Sequence, residues 1–379
     1  MSLRQRSYLS GMKISLHLYR ILFLLTLFLF ILSCQQYRFI VYNFADIKDY
    51  KKFPSRKLFS KRGTSFFSYS KAFNVPLKND NNATLEEFLK KHKTVAFLVI
   101  RNDSILYENY FRNRDSTSIV PSFSMAKSYT SALIGCAIQD GLIHSVKDPI
   151  TNYIPELKKN GFDSVTIEHL LQMTSGLSFN ENYFNPFGNV AGFYYGRQLR
   201  KKMINLKLKR KPGFAFEYLS GNSQLLGFVL ERALKNKTIT EYLQEKIWTP
   251  LEMEGDASWS IDQKKNGIEK TFCCLNATAR DFSRFGRLYL HNGNWNGKQL
   301  VPREWVLTST VADTSQGGAT FYKYQWWLPN AFKGDFMANG FLGQYIYVCP
   351  EKNIIIVRLG KSNGGVYWPS VFRSIIKKL

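Results

Sequence analysis

Ser124 and Lys127 are the residues of this 379-residue chain whose types and spacing point most directly to chemistry. They open the run Ser124-Met125-Ala126-Lys127-Ser128-Tyr129-Thr130-Ser131-Ala132-Leu133-Ile134-Gly135-Cys136-Ala137-Ile138, the most apolar and small-residue-rich helical stretch in the sequence. It stops at Gly141, where a C-terminal cap is expected. Residues three apart on a helix share a face, so this spacing sets an amine against a hydroxyl. A serine hydroxyl is a weak nucleophile, and a neighbouring neutral amine can take its proton without histidine. Spacing alone does not select the pair, because Ser10/Lys13, Ser68/Lys71 and Ser374/Lys377 repeat it. Context does: Ser10 precedes an export-type apolar segment, Ser68 sits in a polar stretch without period, and Ser374 falls in the last turn. On the 124 helix, Ser124, Lys127, Ser128, Ser131 and Gly135 form a small or polar stripe expected to line a cleft, opposite Met125, Tyr129, Leu133, Cys136 and Ala137.

Two further segments must converge on Ser124. In Pro212-Gly213-Phe214-Ala215-Phe216-Glu217-Tyr218-Leu219-Ser220-Gly221-Asn222, Tyr218 and Ser220 precede a helical run beginning near Gln224. In Ala338-Asn339-Gly340-Phe341-Leu342-Gly343-Gln344, glycines beside a strand let backbone approach a ligand and offer an N–H as an oxyanion donor. Elements to position them are legible. Thr84-Leu85-Glu86-Glu87 starts a capped helix, and strands are expected over Val95–Ile100 and Ile105–Phe111. Helices and proline-broken loops dominate from about 141 to 280, an inserted helical lobe. Strands return over Gln325–Leu328, Gln344–Cys349 and Ile354–Leu359, and a helix closes the chain from about Pro369 to Lys378. Strands at both ends with helices between them describe an α+β fold: an antiparallel sheet built from both chain ends, flanked by helices, with the site in the cleft between lobes.

With these residues in view, the chain resembles the serine beta-lactamase-like hydrolases, which include class C beta-lactamases, D-alanyl-D-alanine peptidases, family VIII carboxylesterases and 6-aminohexanoate-oligomer hydrolases. The resemblance covers roughly residues 85–379. It rests on Ser124-Met125-Ala126-Lys127, on Tyr218-Leu219-Ser220 ahead of Leu225-Leu226-Gly227, and on Gly340 to Gln344 leading into a strand. His169 to Leu177 and Ala277 to Asp281 support it. The resemblance implies a beta-lactamase/transpeptidase-like fold with Ser124 as acylated nucleophile and Lys127 and Tyr218 as the proton-transfer groups. It further implies an oxyanion hole from the backbone N–H groups of Ser124 and Phe341, with Ser220 and Gly340 in support. Tyr183, Trp326, Trp327 and Asn339 are candidate pocket residues, while His169 and Asp281 read as helix-start or packing residues. Where many beta-lactamases and peptidases have a Lys or His in the third motif, this chain has Asn339-Gly340, and Ser220 stands where Asn is common in the second. These departures favour the esterase and aminohexanoate-oligomer branches. Two alternatives are a D-amino-acid peptidase of the penicillin-binding type and a catalytically silent envelope binding protein of the same fold.

The formal net charge of +24 does not indicate nucleic acid, because it is concentrated. Residues 1–62 hold twelve Lys or Arg against two acids, and 197–211 hold eight basic residues and no acid. The run Ile21 to Leu32 is apolar apart from one threonine, follows Arg4, Arg6, Lys13 and Arg20, and precedes Ser33-Cys34. It therefore reads as residues 1–34 forming a signal peptide or membrane anchor, with Cys34 a lipidation candidate. The expectation is an exported, envelope-located protein, membrane-anchored or a lipoprotein, whose basic N-terminal part lies at an anionic membrane surface. Residues 35–84 read as a basic tether and 85–379 as the hydrolase domain. The partner expected is a small ester, amide or peptide substrate, with no nucleic acid and no cofactor. The five histidines lack metal spacing, no G-x-S-x-G occurs, and Cys136, Cys273, Cys274 and Cys349 suggest no disulfide framework.

Overall fold

The computed structural model describes residues 17–24, 26, 34–42, 45–60, 66–70, 84–329, 332 and 334–379. Its elements, in chain order, begin with α1 (Cys34–Tyr42), β1 (Ser55–Leu58), β2 (Ser68–Tyr69), α2 (Leu85–Lys91), β3 (Thr94–Arg101), β4 (Ser104–Tyr110) and β5 (Val120–Pro121). The middle holds α3 (Ala126–Gln139), α4 (Ile167–Leu171), α5 (Asn189–Tyr195), α6 (Ser220–Leu234), β6 (Ala257–Ser260), β7 (Leu275–Ala277) and α7 (Ala279–Leu290). The chain closes with β8 (Tyr322–Lys323), β9 (Trp326–Trp327), β10 (Phe336–Gly340), β11 (Gln344–Cys349), β12 (Ile354–Gly360) and α8 (Trp368–Ile376).

The main sheet runs β8-β9-β10-β11-β12-β3-β4-β2, so the last strand of the chain pairs with the first long one. That pairing is antiparallel, with Ile356 opposite Val99; the short β2 alone is parallel to its neighbour, β4. The central strands are apolar at nearly every position because both faces are covered. Ala96, Leu98, Ile100, Ile346, Val348, Ile355 and Val357 face the large core. Phe97, Val99, Tyr347, Ile354 and Ile356 face a smaller one with Leu85 and Leu89 of α2 and Phe372 and Ile375 of α8. α7 comes close on the large-core side through Gly286, where a Cβ would stand 2.8 Å from Ile346 and 2.9 Å from Ile355. The α+β expectation is therefore met, and β11 has the bounds read from the sequence. The capped start at Thr84 is also present, its side chain bonded to the Glu87 N–H and the Glu87 carboxylate to the Thr84 N–H.

A second sheet, β1-β6-β7-β5, lies within and beside the lobe expected to be helical. It fixes the approach to Ser124. β5 pairs with β7, and the Ser122 N–H donates to the Leu275 carbonyl at 2.7 Å.

Several expectations need correction. The tether expected over 35–84 is packed against the body in its first half. Phe39, Ile47, Phe53 and Leu58 are buried, Phe39 meets Tyr195 edge-on at 5.3 Å, and β1 pairs with β6. Its aromatic residues supply enough apolar area to dock despite the lysines between them. The polar stripe of α3 does not line an open cleft, since every residue from Ala126 to Ala137 is buried. Ser128 donates to the Gln325 carbonyl, and Gly135 admits the Trp305 ring, which a Cβ would meet at 2.5 Å. Small side chains on that face serve close packing instead. Cys273 and Cys274 are joined to each other as a vicinal disulfide. The side chain of Cys34 lies outside the described residues, as does most of the apolar run 21–32, and among the described residues no helix is long and apolar enough to cross a membrane.

Candidate active site

Ser124 sits in a 3-10 turn, Phe123–Met125, that leads directly into α3. Phe123 has a φ of 44°, a left-handed conformation rarely taken by a non-glycine residue and one that recurs beside reacting side chains. The turn is held by the β5–β7 pairing on one side and by β10 on the other. Gly340 makes that second contact possible, because a Cβ there would stand 2.3 Å from the Ser122 carbonyl and 3.2 Å from the Ser124 nitrogen. Only glycine admits this approach.

One turn along α3, Lys127 is buried, with 1% of its surface exposed. Its amine has three neighbours: the Ser124 hydroxyl at 3.1 Å, the Ser220 hydroxyl at 3.2 Å and the Phe272 carbonyl at 2.7 Å. No carboxylate pairs with it among the described residues. Burial lowers its pKa to about 7, against a smaller opposing effect of Glu181. An amine held there is substantially neutral near neutral pH and can act as a base.

Tyr218 lies in the loop before α6, its ring 5.2 Å from the Lys127 amine and its hydroxyl turned toward Ser124. Trp327 packs on its other side with ring centres 5.2 Å apart, and Tyr322 meets it edge-on at 5.8 Å. Burial raises its pKa well above the ordinary tyrosine value, so the phenol keeps its proton and is able to donate it. Ser220, the first residue of α6, donates from both its backbone N–H and its hydroxyl to Glu181, at 2.8 and 2.6 Å. Tyr183 donates to the same carboxylate at 2.8 Å and stacks on Phe341, ring centres 5.3 Å apart and 17° from parallel.

These groups border a cavity of about 50 Å³ lined mainly by rings, among them Phe123, Tyr183, Tyr194, Phe272 and Phe341, with Cys273 and, from the N-terminal segment, Ala45. Among the described residues no lysine or arginine lines it. The structure thus brings together Ser124, Lys127, Tyr218, Ser220, Tyr183, Gly340 and Phe341. It does not bring Trp326, which is fully buried between Tyr289 and Phe336 as a core residue, nor Asn339, which sits in β10 opposite Tyr345 and outside the cavity wall. Trp327 backs Tyr218 without lining the cavity. His169 completes a capping box with Thr166, and Asp281 accepts from Thr278 and the Glu254 N–H, so both serve helix starts as expected. Sequence reasoning missed Glu181, the Phe272 carbonyl and Ala45. None belongs to a periodic element at that point of the chain, and all three reach the site only through tertiary packing.

A serine hydroxyl and a buried lysine amine one turn apart, at the start of a helix beneath a mixed sheet, make the arrangement expected of a serine hydrolase of beta-lactamase fold. The chain belongs to the beta-lactamase family, whose model matches residues 81–377. It is 28% identical over 306 residues to the 6-aminohexanoate-dimer hydrolase of Paenarthrobacter ureafaciens, covering 75% of each chain. A solved structure from Bacillus anthracis, named as a candidate 6-aminohexanoate-dimer hydrolase, superposes with a TM-score of 0.75 at 25% identity, covering 87% of this chain and 91% of that one. A family VIII carboxylesterase superposes at 0.56 and 15% identity over 72% of this chain and 88% of its own, which speaks to fold alone.

Proposed function

We propose that this chain hydrolyses a small ester or amide through an acyl-enzyme on Ser124. The observation that carries this is the Lys127 amine, buried without a carboxylate partner and 3.1 Å from the Ser124 hydroxyl. Ser124 Oγ attacks the substrate carbonyl while its proton passes to Lys127, and the resulting oxyanion is met by the backbone N–H groups of Ser124 and Phe341. Tyr218 gives its proton to the departing alcohol or amine and is reprotonated from Lys127. The Ser124 ester is then cleaved by water, whose proton passes through the same pair to the departing Ser124 oxygen and whose hydroxyl stays with the released acid.

The ring-lined cavity, with no cation in its wall among the described residues, supports an apolar, uncharged acyl group rather than the anionic ring of a beta-lactam. The relation to 6-aminohexanoate-dimer hydrolases supports including linear amides among the substrates. The apolar run Ile21 to Leu32 behind its basic flank supports export and attachment to a membrane through the N-terminal segment, which fractionation of cells expressing the full chain tests.

The activity test is hydrolysis of short p-nitrophenyl esters and of the linear 6-aminohexanoate dimer by wild type beside Ser124→Ala. Turnover lost in the variant is the expected result. Turnover that persists there, or its absence from wild type on every ester and amide including D-alanyl-D-alanine peptides, overturns the reading in favour of another residue or a silent binder.

A further inference from the structure

Lys127 needs more than a depressed pKa to act as a base, because its lone pair must face Ser124. A neutral amine has two N–H bonds and one lone pair, and three neighbours surround this one. The Phe272 carbonyl can only accept. A serine hydroxyl can do either, so the direction of the lone pair depends on what Ser220 does with its single proton.

Glu181 decides it. Its carboxylate takes the Ser220 hydroxyl proton at 2.6 Å and the Ser220 backbone N–H at 2.8 Å, while Tyr183 fills a further site at 2.8 Å. With its proton committed to an acceptor-only carboxylate, Ser220 presents a lone pair to Lys127. Both amine protons then go to Ser220 and Phe272, and the amine lone pair is left for Ser124. We propose that Glu181 is a positioning residue of the active site: it acts through Ser220 to aim the base at the nucleophile. The inference rests on Ser124 being the nucleophile.

The same carboxylate favours the charged amine that forms when Ser124 gives up its proton. The other polar groups facing Lys127 are Tyr218 and, behind it, Tyr183 and Tyr322, all held neutral by burial. Glu181 is thus the charged group acting on this amine, and it has no ion-pair partner among the described residues.

The test needs no knowledge of the natural substrate. A fluorophosphonate labels an activated serine: the Ser124 oxygen bonds to phosphorus, fluoride leaves, and the serine proton passes to the base. The labelling rate is measured from pH 5 to 9 on wild type, Glu181→Gln, Ser220→Ala and the double variant, with the modified residue located by mass and folding checked by thermal melting. The carboxamide introduced by Glu181→Gln can donate to Ser220 and release its hydroxyl proton toward Lys127. This variant is therefore expected to label about ten- to a hundredfold more slowly at the pH plateau, with its acid-side midpoint moved to lower pH. In the Ser220→Ala background the same exchange should leave the plateau rate unchanged, because the intermediary is gone. Equal plateau rates and midpoints for wild type and Glu181→Gln overturn the inference while leaving the Ser124 reading intact. So does an equal slowing with and without Ser220. Failure of wild type to label at Ser124 overturns the reading and this inference together.

Discussion

The carbonyl of Phe272 lies 2.7 Å from the amine of Lys127, the shortest of that amine's three hydrogen bonds. Phe272 belongs to the lobe and Lys127 to the helix behind the sheet, so the base is fixed across the cleft. The Cys273–Cys274 bond that follows Phe272 adds stiffness at this point. Lys127→Met keeps the volume and removes the base, and we expect kcat to fall by roughly 10³-fold or more, measured on a p-nitrophenyl ester. In wild type, kcat/KM should rise with pH through about 7, where Lys127 loses its proton.

Stability should move the other way in the same variant. A lysine whose pKa falls from 10.5 to about 7 on folding costs about 5 kcal/mol wherever both states are protonated. The unfolded chain holds the proton between those values and the folded chain does not, so this cost is relieved as pH rises from about 7 toward 10.5. Lys127→Met is expected to be more stable than wild type by about 1–4 kcal/mol at pH 7, with the gain shrinking by pH 10. Chemical denaturation at both pH values checks it.

Tyr218→Phe keeps the ring packed against Trp327 and Tyr322 and removes only the hydroxyl turned toward Ser124. A roughly 10²- to 10³-fold loss in kcat is expected, with KM nearly unchanged and the melting temperature within a degree or two. The loss should be larger for an amide than for a p-nitrophenyl ester, whose leaving group needs no proton.

Gly340→Ala forces a methyl to within 2.3 Å of the Ser122 carbonyl. Backbone must move at the turn that carries Ser124. We expect roughly a 10²-fold or greater loss of kcat/KM from misplacement alone, together with a lower melting temperature. A Gly286→Ala variant, which strains the sheet contact of α7 away from the site, separates the two effects: it should lower stability without the same loss per folded molecule.

Removal of residues 1–60 tests how far the N-terminal segment belongs to the fold. It would uncover the ring of Tyr195, the partners of Phe53 and the cavity wall at Ala45. The truncated protein is expected to melt lower than residues 34–379 and to lose selectivity between short and longer acyl esters.

The parts of this architecture legible in the sequence are those written in local pattern. The 344–349 strand is Gln344 followed by an unbroken run of apolar and aromatic residues ended by Pro350, and the Thr84 helix start is a complete capping box. Ser124 and Lys127 are one turn of helix apart, so their contact needs no long-range information. Trp326 shows the opposite case: next to Trp327, it points to the other face of the strand, and strand alternation alone does not say which face meets the cavity. Glu181 lies in a loop with neither period nor motif, and only the fold brings it to Ser220, 39 positions away. Phe39 and Phe53 are obscured by the basic character of the segment that holds them, because charge run and docking segment share a composition until their partners on α5 are known.

The pairing of β12 with β3 has a consequence in time. Residues 101 and 354 are partners in that ladder, so the sheet that carries Gly340 against the Ser124 turn cannot close until about 250 residues after β3 have been made. Ser124 and Lys127 are synthesised early and can already face each other on their helix, yet the turn beside them stays without its third wall until β10 to β12 arrive. On the mechanism proposed above, a nascent or half-folded chain is expected to be inactive, its hydrolytic capacity arising late, with closure of the sheet.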